Sequence, residues 1–559
     1  GTFNNNFFDS EASNQSTDAL GSATAKTTTE MKCVFTYTDT SYVVSVGLDS
    51  AWDFVSNPND DVNNDDYWDM DQLGTVNSGY PILSWQSGSD DEILKGAGTT
   101  GAPYQISDIC ELALLSNNSS YWGDYFIQTA DINASITDIF NISGGDTLGF
   151  SPIGNNTTSF TGEYDGQCYI IDSLYINHSG TDYIGLFGYA SGAVIDSIGL
   201  TNIDITGNIY VGGLVGYNYL FSTIANSYST GIVSGSYYVG GLVGYNLTSS
   251  TITNSYSTGS VSGTNDYVGG LVGWNYSSTI TNSYSTGSIS GSERVGGFVG
   301  YNRTSSTITN SYSTGSVSGS GDNVGGLVGE NNSSTVSNSY STGSVNGNHW
   351  VGGLVGYNYD GSTITNSYGT GSVTGTSQVG GLVGFNRISS TITNSYSIGD
   401  VTRSSGTLTY FGGFVGYNYN STVEDCYSTG SVSYTGATDP TDKGFVGYNY
   451  SGTYNDNFFD STASNQSTDA VGSATAKTTA EMKDYNTFTD VSTTGLTTAW
   501  DFVTNPNDDA NNDDDWDMDQ LETVNDGYPI LSWQDGADNV LTITAIELNV
   551  KIYLEGAYK

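Results

Sequence analysis

The chain has 559 residues, of which 58 are acidic and 12 are lysine or arginine, and its formal net charge is −46. So few basic side chains exclude a nucleic-acid partner, because binding a phosphate backbone needs a surface rich in lysine and arginine. No apolar run approaches the ~20 residues of a membrane-spanning helix, so the sequence predicts no membrane span.

The first segment, residues 1–86, has a second copy at residues 452–534. GTFNNNFFDS at 1–10 matches GTYNDNFFDS at 452–461, and the GYPILSWQ of residues 79–86 recurs at the end of the second copy. The second copy directly follows a long run of repeats, so we interpret both segments as caps of a repeat body. We expect the first cap to dock on a neighbouring molecule or to belong to repeats that precede it. The chain opens inside this pattern, which is typical of a processed or partial chain.

Each cap contains an acidic loop, NPNDDVNNDDYWDMD at 57–71 and NPNDDANNDDDWDMD at 505–519. Clustered carboxylate and amide oxygens are the ligands that calcium prefers, although the spacing does not match an EF-hand. A solvated acidic turn is the alternative interpretation, and we expect no cofactor to be required. The candidate calcium ligands are Asp60, Asp61, Asn63, Asp65, Asp69, Asp508, Asp509, Asp513 and Asp517.

A linker rich in glycine, serine and aspartate, residues 87–101, leads to residues 102–182, which we call the lead-in segment. Its sequence predicts a short helix at 106–115 and then strands such as 168–176. We expect this segment to cover the amino end of the repeats.

Residues 183–451 carry one phrase, VGGLVGYN, about every 28 residues, for example at 211–218, 239–246 and 351–358. A second phrase, TITNSYSTGSV, keeps the same spacing, and residues that favour helices are scarce. A period of this length without helix formers is typical of stacked β-coils. We therefore predict an all-β fold, a right-handed β-solenoid (parallel β-helix) of about ten coils of ~28 residues with β-rich end caps.

Alternation along TITNSYS predicts that Ile252, Asn254 and Tyr256 share one face of their strand. Since identical residues of stacked coils form ladders, we expect the asparagines of this phrase to be hydrogen-bonded to one another. We interpret the aromatic columns as ladder packing. Gly269 and Gly270 predict either a left-handed corner or a close contact between coils. The sequence does not decide which side chains of VGGLVGYN face inward. The asparagines of this predicted ladder are Asn226, Asn254, Asn282, Asn310, Asn338, Asn366 and Asn394.

The VGGLVG phrases resemble the GLUG-motif repeat family of microbial surface proteins, found in adhesins and in proteins related to immunoglobulin-A peptidases. The resemblance covers residues 183–449, and APYQISDICELALLS at 102–116 and the cap phrases resemble the usual flanks of such repeats. It implies an extracellular or cell-surface location. It implies no shared chemistry, because the repeats of this family serve as spacers and adhesive arrays.

Asn-x-Ser/Thr triplets recur in the slot that follows VGY, VGW or VGE in the repeats, so we predict a regular row of glycans there. Such a row needs this slot to face water. The candidate glycosylation sites are Asn14, Asn117, Asn118, Asn133, Asn141, Asn155, Asn156, Asn177, Asn246, Asn275, Asn302, Asn331, Asn332, Asn420, Asn449 and Asn465.

An enzyme is not predicted, although parallel β-helices also host polysaccharide-active enzymes. The repeats supply almost no converging carboxylates, and the two histidines, His178 and His349, lie in unrelated contexts. Two other hypotheses remain: a structural subunit of an extracellular filament, sheath or surface layer, and an adhesin stalk that binds surface carbohydrate. The duplicated cap favours the structural subunit, because an adhesin needs a non-repetitive domain that reads a ligand.

Four cysteines do not make a disulfide scaffold, but we predict two bridges, Cys110–Cys168 and Cys33–Cys426. Residues 535–559 end in alternating apolar residues that predict a strand at 543–554. We expect self-association head to tail, in which the first cap or this last strand completes a sheet of the next subunit. A Cys33–Cys426 bridge between subunits would lock such a polymer covalently.

Overall fold

In the computed structural model the chain forms two compact units, residues 1–260 and 261–559. The residues that the structure describes are 6–13, 23–26, 31, 68–70, 81–83, 94–143, 146–405, 410–434, 443–469, 472–502, 514–519 and 524–534. Both units are built almost entirely from short parallel strands that repeat along the chain. The predicted β-solenoid of about ten turns is confirmed.

Each coil contains five short strands, which we name by their sequences in chain order. In one coil of the second unit the VG strand is Val268–Gly269, the VGYN strand Val272–Tyr276, the TIT strand Thr279–Thr281, the YS strand Tyr284–Ser285 and the VSG strand Ile289–Gly291. Glycine, serine and asparagine between these strands allow the sharp turns that a coil of this size needs.

The first unit contains the first three turns of this pattern. Its VG strands are Ile209–Gly212 and Tyr237–Gly240, and its VGYN strands are Phe187–Ser191, Val215–Tyr219 and Val243–Leu247. Its TIT strands are Val194–Asp196, Thr223–Ala225 and Thr251–Thr253. Gly199–Thr206 and Tyr228–Gly235 each run through the YS and VSG positions, and Tyr256–Ser257 is a YS strand. The VSG strand Ser260–Gly263 includes the boundary between the units.

The lead-in segment precedes these turns in the first unit. Its helix spans Ile109–Asn117, close to the predicted 106–115, and begins where the Asp108 carboxylate accepts hydrogen bonds from the amides of Cys110 and Glu111. Its strands are Tyr104–Ile106, Tyr125–Gln128, Ile132–Asn133, Ile142–Ser143, Asp146–Thr147, Glu163–Asp165, Ile170–Asp172 and Tyr175–Asn177, with 3₁₀ turns at Ser119–Tyr121 and Ser135–Ile139. The predicted strand at 168–176 is therefore two strands, because Ser173 between them has a positive φ of 62°.

The second unit continues with the same strand types. Its other VG strands are Val295–Gly296, Asp322–Gly325, His349–Gly352, Ser377–Gly380 and Phe411–Gly412. Its other VGYN strands are Val299–Arg303, Val328–Asn332, Val355–Tyr359, Val383–Arg387, Val415–Tyr419 and Val446–Tyr450.

The remaining coil strands of the second unit complete the other side of the solenoid. The TIT strands are Thr307–Thr309, Thr335–Ser337, Thr363–Thr365 and Thr453–Asn455, while Thr391–Ser397 and Thr422–Ser428 run through the TIT and YS positions. The YS strands are Tyr312–Ser313, Tyr340–Ser341 and Tyr368–Gly369. The VSG strands are Val317–Gly319, Val345–Asn346, Val373–Gly375, Val401–Arg403 and Val432–Tyr434.

Both caps contain the same two strand pairs. In the first cap Phe7–Asp9 pairs in parallel with Thr24–Lys26, and Trp68–Met70 pairs antiparallel with Pro81–Leu83. In the second cap the parallel pair is Phe458–Asp460 with Thr475–Lys477, and the antiparallel pair is Trp516–Met518 with Pro529–Leu531. The second cap also has short helices at Thr479–Met482 and Asn486–Thr489 and a 3₁₀ turn at Ser532–Gln534. The predicted strand at 543–554 lies outside the described residues.

Strands of neighbouring coils pair in register, so that equivalent residues lie opposite one another. In the second unit Tyr312 lies opposite Tyr340, and Ile308 lies opposite Val336. Apolar residues of the coils therefore form continuous buried columns. Their burial supplies the main stabilising free energy of the solenoid.

A left-handed residue, an asparagine in most coils, resets the alternation inside the coil. Asn254 has a φ of 49°, and the buried side chains around it are Ile252, Ser255 and Ser257. The prediction that Ile252, Asn254 and Tyr256 share a face is wrong, because this corner turns Tyr256 toward the outside while Ser255 points inward. Asparagine tolerates a left-handed backbone better than most residues, which explains its place at the corner.

The paired glycines of the VG strands permit close packing rather than a left-handed corner. A Cβ on Gly269 would lie 2.0 Å from the carbonyl oxygen of Val272, and one on Gly270 would lie 2.1 Å from that of Gly297. Neither glycine has a positive φ. Of the two roles that the sequence allows, the structure shows the close contact.

Candidate functional surfaces

The asparagine of the VGYN phrase is buried inside the solenoid. In the second unit the side-chain amide nitrogen of Asn275 donates to the side-chain oxygen (Oδ1) of Asn302 at 2.9 Å, and Asn302 donates in the same way to Asn331 at 2.9 Å. The ladder continues through Asn358 to Asn386 with bonds of 2.9 and 2.8 Å. All five residues have an exposed fraction of 0%. A buried amide needs partners, and this ladder provides them.

The predicted row of glycans in this slot is therefore wrong. The amide nitrogens of Asn246, Asn275, Asn302 and Asn331 lie in the interior, and a sugar on any of them has no room. The sequence pattern was misleading for two reasons. The asparagine after VGY recurs because it packs inside the coil, and a Ser or Thr often stands two residues later because the chain is rich in both.

The other glycosylation candidates differ in exposure. Exposed asparagines are Asn117, Asn133, Asn155, Asn156, Asn420 and Asn465, and half-buried ones are Asn118, Asn141, Asn177, Asn332 and Asn449. Asn14 lies outside the described residues. Modification at the exposed and half-buried positions and at Asn14 stays a prediction, and the exposed set offers a glycosyltransferase the most access.

The predicted ladder of corner asparagines is present at the surface. Asn310 donates to Asn282 at 3.2 Å and Asn338 donates to Asn310 at 3.3 Å in the second unit, and Asn254 donates to Asn226 at 3.2 Å in the first. These amides are partly solvated, unlike the VGYN ladder.

The tyrosines of the YS strands form a stacked column in the second unit. From Tyr284 through Tyr312, Tyr340, Tyr368 and Tyr396, successive ring centroids are 4.8 to 4.9 Å apart and the rings are nearly parallel. Each ring face is covered by the next ring, so the column presents ring edges and hydroxyl groups outward. A sugar cannot stack on these faces, and the structure supports the ladder-packing interpretation.

The second cap packs against the last tyrosines of this column. The Trp533 ring lies 5.8 Å from Tyr368, and the Gln534 side-chain amide donates to the Tyr396 hydroxyl at 2.8 Å. The Tyr427 hydroxyl donates to the carbonyl oxygen of Pro529 at 2.5 Å. The buried residues that join cap and column are Tyr396, Tyr427, Phe458, Met482, Phe488, Leu496, Trp500, Phe502, Trp516, Tyr528 and Leu531.

The cap also binds the corner asparagines. One carboxylate, that of Asp515, accepts hydrogen bonds from Asn366 at 2.8 Å and from Asn394 at 2.5 Å. At the next corner the asparagine is replaced by Asp425, with a φ of 52°. Burial, aided by the charges of Glu424, Asp456 and Asp515, raises the pKa of Asp425 to about 8.

Sequence reasoning missed this docking surface. The relevant signal was present, because GYPILSWQ occurs in both caps and supplies Pro529, Trp533 and Gln534 to the contact. The tyrosine column was identified, but nothing local to either segment indicates that they meet.

The two caps match in their local contacts as well as in their strands. The Ser10 hydroxyl donates to the carbonyl oxygen of Lys26 at 2.8 Å, and the Ser461 hydroxyl donates to that of Lys477 at 2.9 Å. The Lys26 ammonium lies 5.6 Å from the centre of the Phe7 ring, and the Lys477 ammonium lies 5.6 Å from the centre of the Phe458 ring. The duplication in the sequence is thus a duplication of local structure.

One buried ion pair interrupts the aromatic residues on the VGYN side of the second unit. The Glu330 carboxylate, 5% exposed, accepts hydrogen bonds from Arg294 and from Asn323, both at 2.8 Å. The Arg294 guanidinium also lies over the rings of Tyr267 and Tyr301. Both charges are held by partners within the coils, which indicates a packing role rather than a catalytic one.

The two histidines belong to different units, His178 to the first and His349 to the second, and each has its own local partners. The Nδ1 of His349 lies 3.1 Å from a carboxylate oxygen of Asp322, and burial lowers the pKa of His178. Among the described residues, no three His, Cys, Asp or Glu side chains are grouped to hold a metal ion. Of the candidate calcium ligands, the side chain of Asp517 is the one described; Asp60, Asp61, Asn63, Asp65, Asp508, Asp509 and Asp513 and the side chain of Asp69 lie outside the described part.

The predicted disulfides are not formed in the described residues. No bond joins Cys110, which is half-buried, to Cys168, which is exposed. Cys426 is fully buried and its Sγ donates to the carbonyl oxygen of Glu424 at 2.9 Å. Its burial argues against a bridge to another subunit, while Cys33 lies outside the described residues.

The fold and these ladders define a β-solenoid repeat protein whose VGYN asparagines hydrogen-bond from coil to coil. Seven of its repeats match the family described as the GLUG motif, at residues 207–234, 235–262, 264–290, 291–318, 347–374, 375–402 and 407–433. The suspected family is therefore confirmed for the repeats. No helix in the described ranges is long and apolar enough to cross a membrane.

Two curated proteins are similar to parts of the chain. Halomucin of Haloquadratum walsbyi is 36% identical over 146 residues, which are 25% of this chain and 2% of halomucin. A protein of Evansella cellulosilytica, provisionally named a Gly-rich membrane protein, is 36% identical over 154 residues, 25% of this chain and 16% of its own length. The chain thus spans a small fraction of the length of these relatives.

One solved structure is also similar. It comes from Bacteroides ovatus and is provisionally named an immunoglobulin A1 protease. The alignment covers 48% of this chain and 77% of the other, with a TM-score of 0.35 and 21% identity.

Proposed function

We propose that the chain is a non-enzymatic structural subunit of an extracellular filament, sheath or surface layer. The observation that carries this proposal is the buried asparagine ladder from Asn275 to Asn386, in which the repeated polar side chains are consumed by contacts between coils. Residues arranged this way hold neighbouring coils together, which is the task of a structural repeat. The GLUG motifs and the partial likeness to halomucin and to a membrane protein support a surface-associated repeat protein.

Electron microscopy of the purified full chain tests this proposal. A structural subunit forms polymers or sheets at high protein concentration, whereas isolated rods at every concentration would contradict it. A turnover assay on acidic polysaccharides, with an Asp60→Ala variant as its control, tests the enzyme hypothesis; activity lost in that variant would overturn the non-enzymatic assignment.

Glycans on the exposed asparagines are part of the proposal. Asn117, Asn133, Asn155 and Asn156 all lie in the lead-in segment, so sugars there surround the amino end of the coils. Such sugars shield exposed turns from proteases, which suits an extracellular role.

Self-association is also proposed, with subunits joined head to tail through the first cap or the last strand. The support is that the second cap shows how such a segment binds a solenoid, through strand pairing of Phe458 with Tyr427 and through the tyrosine column. Deleting residues 1–86 is expected to abolish polymers. Polymers unchanged by that deletion and by removal of residues 543–559 would rule this contact out.

An adhesin stalk that binds surface carbohydrate is the second candidate. It is favoured by a cationic group beside aromatic rings on the VGYN side, where the Arg387 guanidinium lies 5.5 to 5.7 Å from the ring centres of the half-buried Tyr359 and Tyr419 and the buried Phe385. A glycan array probed with the full chain tests it, with Arg387→Ala as the variant. Binding that this variant abolishes would favour the stalk over the structural subunit.

A further inference from the structure

The TIT strands of the second unit present two parallel columns of hydroxyl side chains. In Thr307–Thr309 the central Ile308 is fully buried, while Thr307 and Thr309 are half-buried and lie on the outer face. The same pattern recurs in five successive coils, whose TIT strands pair in register and contain no charged residue. The ten side chains, which we call the threonine grid, are Thr279, Thr281, Thr307, Thr309, Thr335, Ser337, Thr363, Thr365, Thr391 and Thr393.

Two serine ladders hold the two ends of these strands. Before the strand, the buried Ser306 hydroxyl accepts a hydrogen bond from the backbone amide of Ser278, one coil earlier, at 3.2 Å. After the strand, the Ser311 hydroxyl accepts in the same way from the amide of Ser283 at 3.3 Å. Both ladders continue to the last coil of the grid with bonds of 3.2 to 3.3 Å. Because its backbone is fixed on both sides, the grid is preorganised for binding.

Neighbouring coils of the grid are barely rotated against one another. From Tyr284 to Tyr396 the tyrosine rings of successive coils are tilted by 1 to 7°, and their centroids are 4.8 to 4.9 Å apart. Adjacent strands of an ordinary sheet are rotated by roughly 20–25°. The grid is therefore flat, and each of its columns repeats at the spacing of the coils.

The spacings of the grid are close to those of ice. Two threonines of one strand, such as Thr307 and Thr309, are ~6.6 Å apart, because a parallel strand rises ~3.3 Å per residue. In ice each water is bonded tetrahedrally to four others at ~2.75 Å, so second-neighbour oxygens are ~4.5 Å apart and like layers recur every ~7.3 Å. The differences of ~0.3 Å and ~0.7 Å are small enough to be absorbed by hydrogen-bond lengths and by rotation of the hydroxyl about χ1.

The hydroxyl groups of the grid have hydrogen-bonding positions left for water. Three pairs bond from coil to coil, for example Thr307 to Thr279 at 3.2 Å. A hydroxyl has one donor and two acceptor positions, so a paired threonine can still bind a water molecule. Within the described residues, the grid hydroxyls without a protein partner are those of Thr281, Thr335, Thr363 and Thr391.

Charge and size favour ice over another protein as the occupant. The grid is neutral although the chain has a formal net charge of −46, and the surface of ice is also uncharged. Five coils and one pair of columns span about 19 by 7 Å. This area is far below the ~800 Å² that each partner buries in a stable protein complex. A solid surface, in contrast, is bound by many weak contacts that one rigid array makes at the same time.

We propose that the threonine grid of the second unit binds ice. This activity goes beyond the proposed structural role and does not require polymers. The second cap borders the grid, since Asp515 binds the corner residues Asn366 and Asn394. Thr307 belongs to a coil two turns before Asn366, so it is the residue chosen for the test.

Partition of the full chain between solution and slowly growing ice tests the proposal. A protein that binds ice is incorporated into the crystal, whereas other proteins are excluded from it. We expect the parent chain to be enriched in the ice and Thr307→Lys to be excluded, because a lysine side chain projects from the flat face. The control Ser318→Lys, at an exposed position on another strand of the same coil, should be enriched like the parent.

A second variant and a second measurement separate binding from folding. Thr335→Tyr also projects from the face, but it places in the strand a residue that strands favour, so we expect lost enrichment with an unchanged circular-dichroism spectrum. The parent chain is also expected to shape single ice crystals and to lower their freezing point below their melting point, and neither grid variant should do so.

Three results would overturn the proposal and leave the proposed structural role standing. The first is a parent chain that ice excludes. The second is enrichment that Thr307→Lys and Thr335→Tyr retain, or that Ser318→Lys loses equally. The third is binding of the parent chain to crystalline cellulose or chitin without enrichment in ice, which would assign the grid to a polysaccharide surface instead.

Discussion

The side-chain amide nitrogen of Asn358 donates a hydrogen bond to the side-chain oxygen (Oδ1) of Asn386, 2.8 Å away, and both residues are fully buried. Asn358 also accepts a hydrogen bond from Asn331 at 2.9 Å. Each coil is thus joined to the next by a polar contact in the interior, and the ladder fixes the register in which coils stack. Polar groups in this position are costly when unpaired, which makes the ladder specific as well as stabilising.

Replacing Asn358 by alanine breaks this ladder in the middle. The side-chain oxygen of Asn386 and the side-chain amide nitrogen of Asn331 each lose a buried partner, so we expect the free energy of unfolding to fall by about 2–4 kcal/mol. Urea unfolding followed by circular dichroism measures it. The control Asn346→Ala, at an exposed position, is expected to stay within ~0.5 kcal/mol of the parent. Equal stabilities for the two variants would contradict the ladder.

Glycan mapping separates the exposed from the buried triplets. In a host that modifies asparagine, we expect sugars at some of Asn117, Asn133, Asn155, Asn156, Asn420 and Asn465. None is expected at Asn246, Asn275, Asn302 or Asn331, because these side chains are in the core. Mass spectrometry of glycopeptides from the folded protein measures occupancy. A sugar on Asn302 in the folded chain is incompatible with the asparagine ladder.

The stability of the docked cap is expected to depend on pH through Asp425. Its pKa is raised from 3.8 to about 8 by burial and by Glu424, Asp456 and Asp515, so the folded state holds a proton that the unfolded state releases. The free energy of unfolding therefore falls as pH rises from about 4 to about 8, and this group causes no further change above that.

Asp425→Asn tests this dependence, because it restores the amide that Asn394 has at the preceding corner. We expect the variant to be more stable than the parent at pH 8 and to differ little at pH 4, as measured by urea unfolding at several pH values. Asp360→Asn is the control, since Asp360 has a left-handed backbone in the same unit but is exposed. It should keep the slope of the parent; a parent chain without any slope would refute the assignment.

The hydroxyl of Tyr427 is expected to hold the cap on the coils. It donates to the Pro529 carbonyl and accepts from the Asn525 amide, both at 2.5 Å, and the residue is fully buried. Tyr427→Phe leaves both cap groups without this partner, so we expect a loss of about 1–3 kcal/mol and faster proteolysis between residues 452 and 534.

Tyr228→Phe is the matched control, because Tyr228 occupies the same strand position in the first unit and is only half-buried. Limited proteolysis with mass spectrometry shows where each variant is cut. Cap cleavage that is no faster in Tyr427→Phe than in Tyr228→Phe would show that the hydroxyl does not anchor the cap.

The spacing of VGGLVGYN and TITNSYS was enough to predict stacked β-coils, because each phrase repeats at the length of one turn and the in-register pairing of Tyr312 with Tyr340 follows from that repeat. The duplication of the caps likewise predicted two similar local structures, and Phe7–Asp9 and Phe458–Asp460 show the same pairing. Which side chains face inward was decided only by the tertiary structure. The left-handed backbone of Asn254 resets the alternation that local reasoning extends along TITNSYS. Packing between coils buries Asn302, which is therefore an interior ladder residue instead of a glycan site. The docking of Gln534 on Tyr396 joins residues 138 positions apart, and no local pattern in either segment encodes that contact.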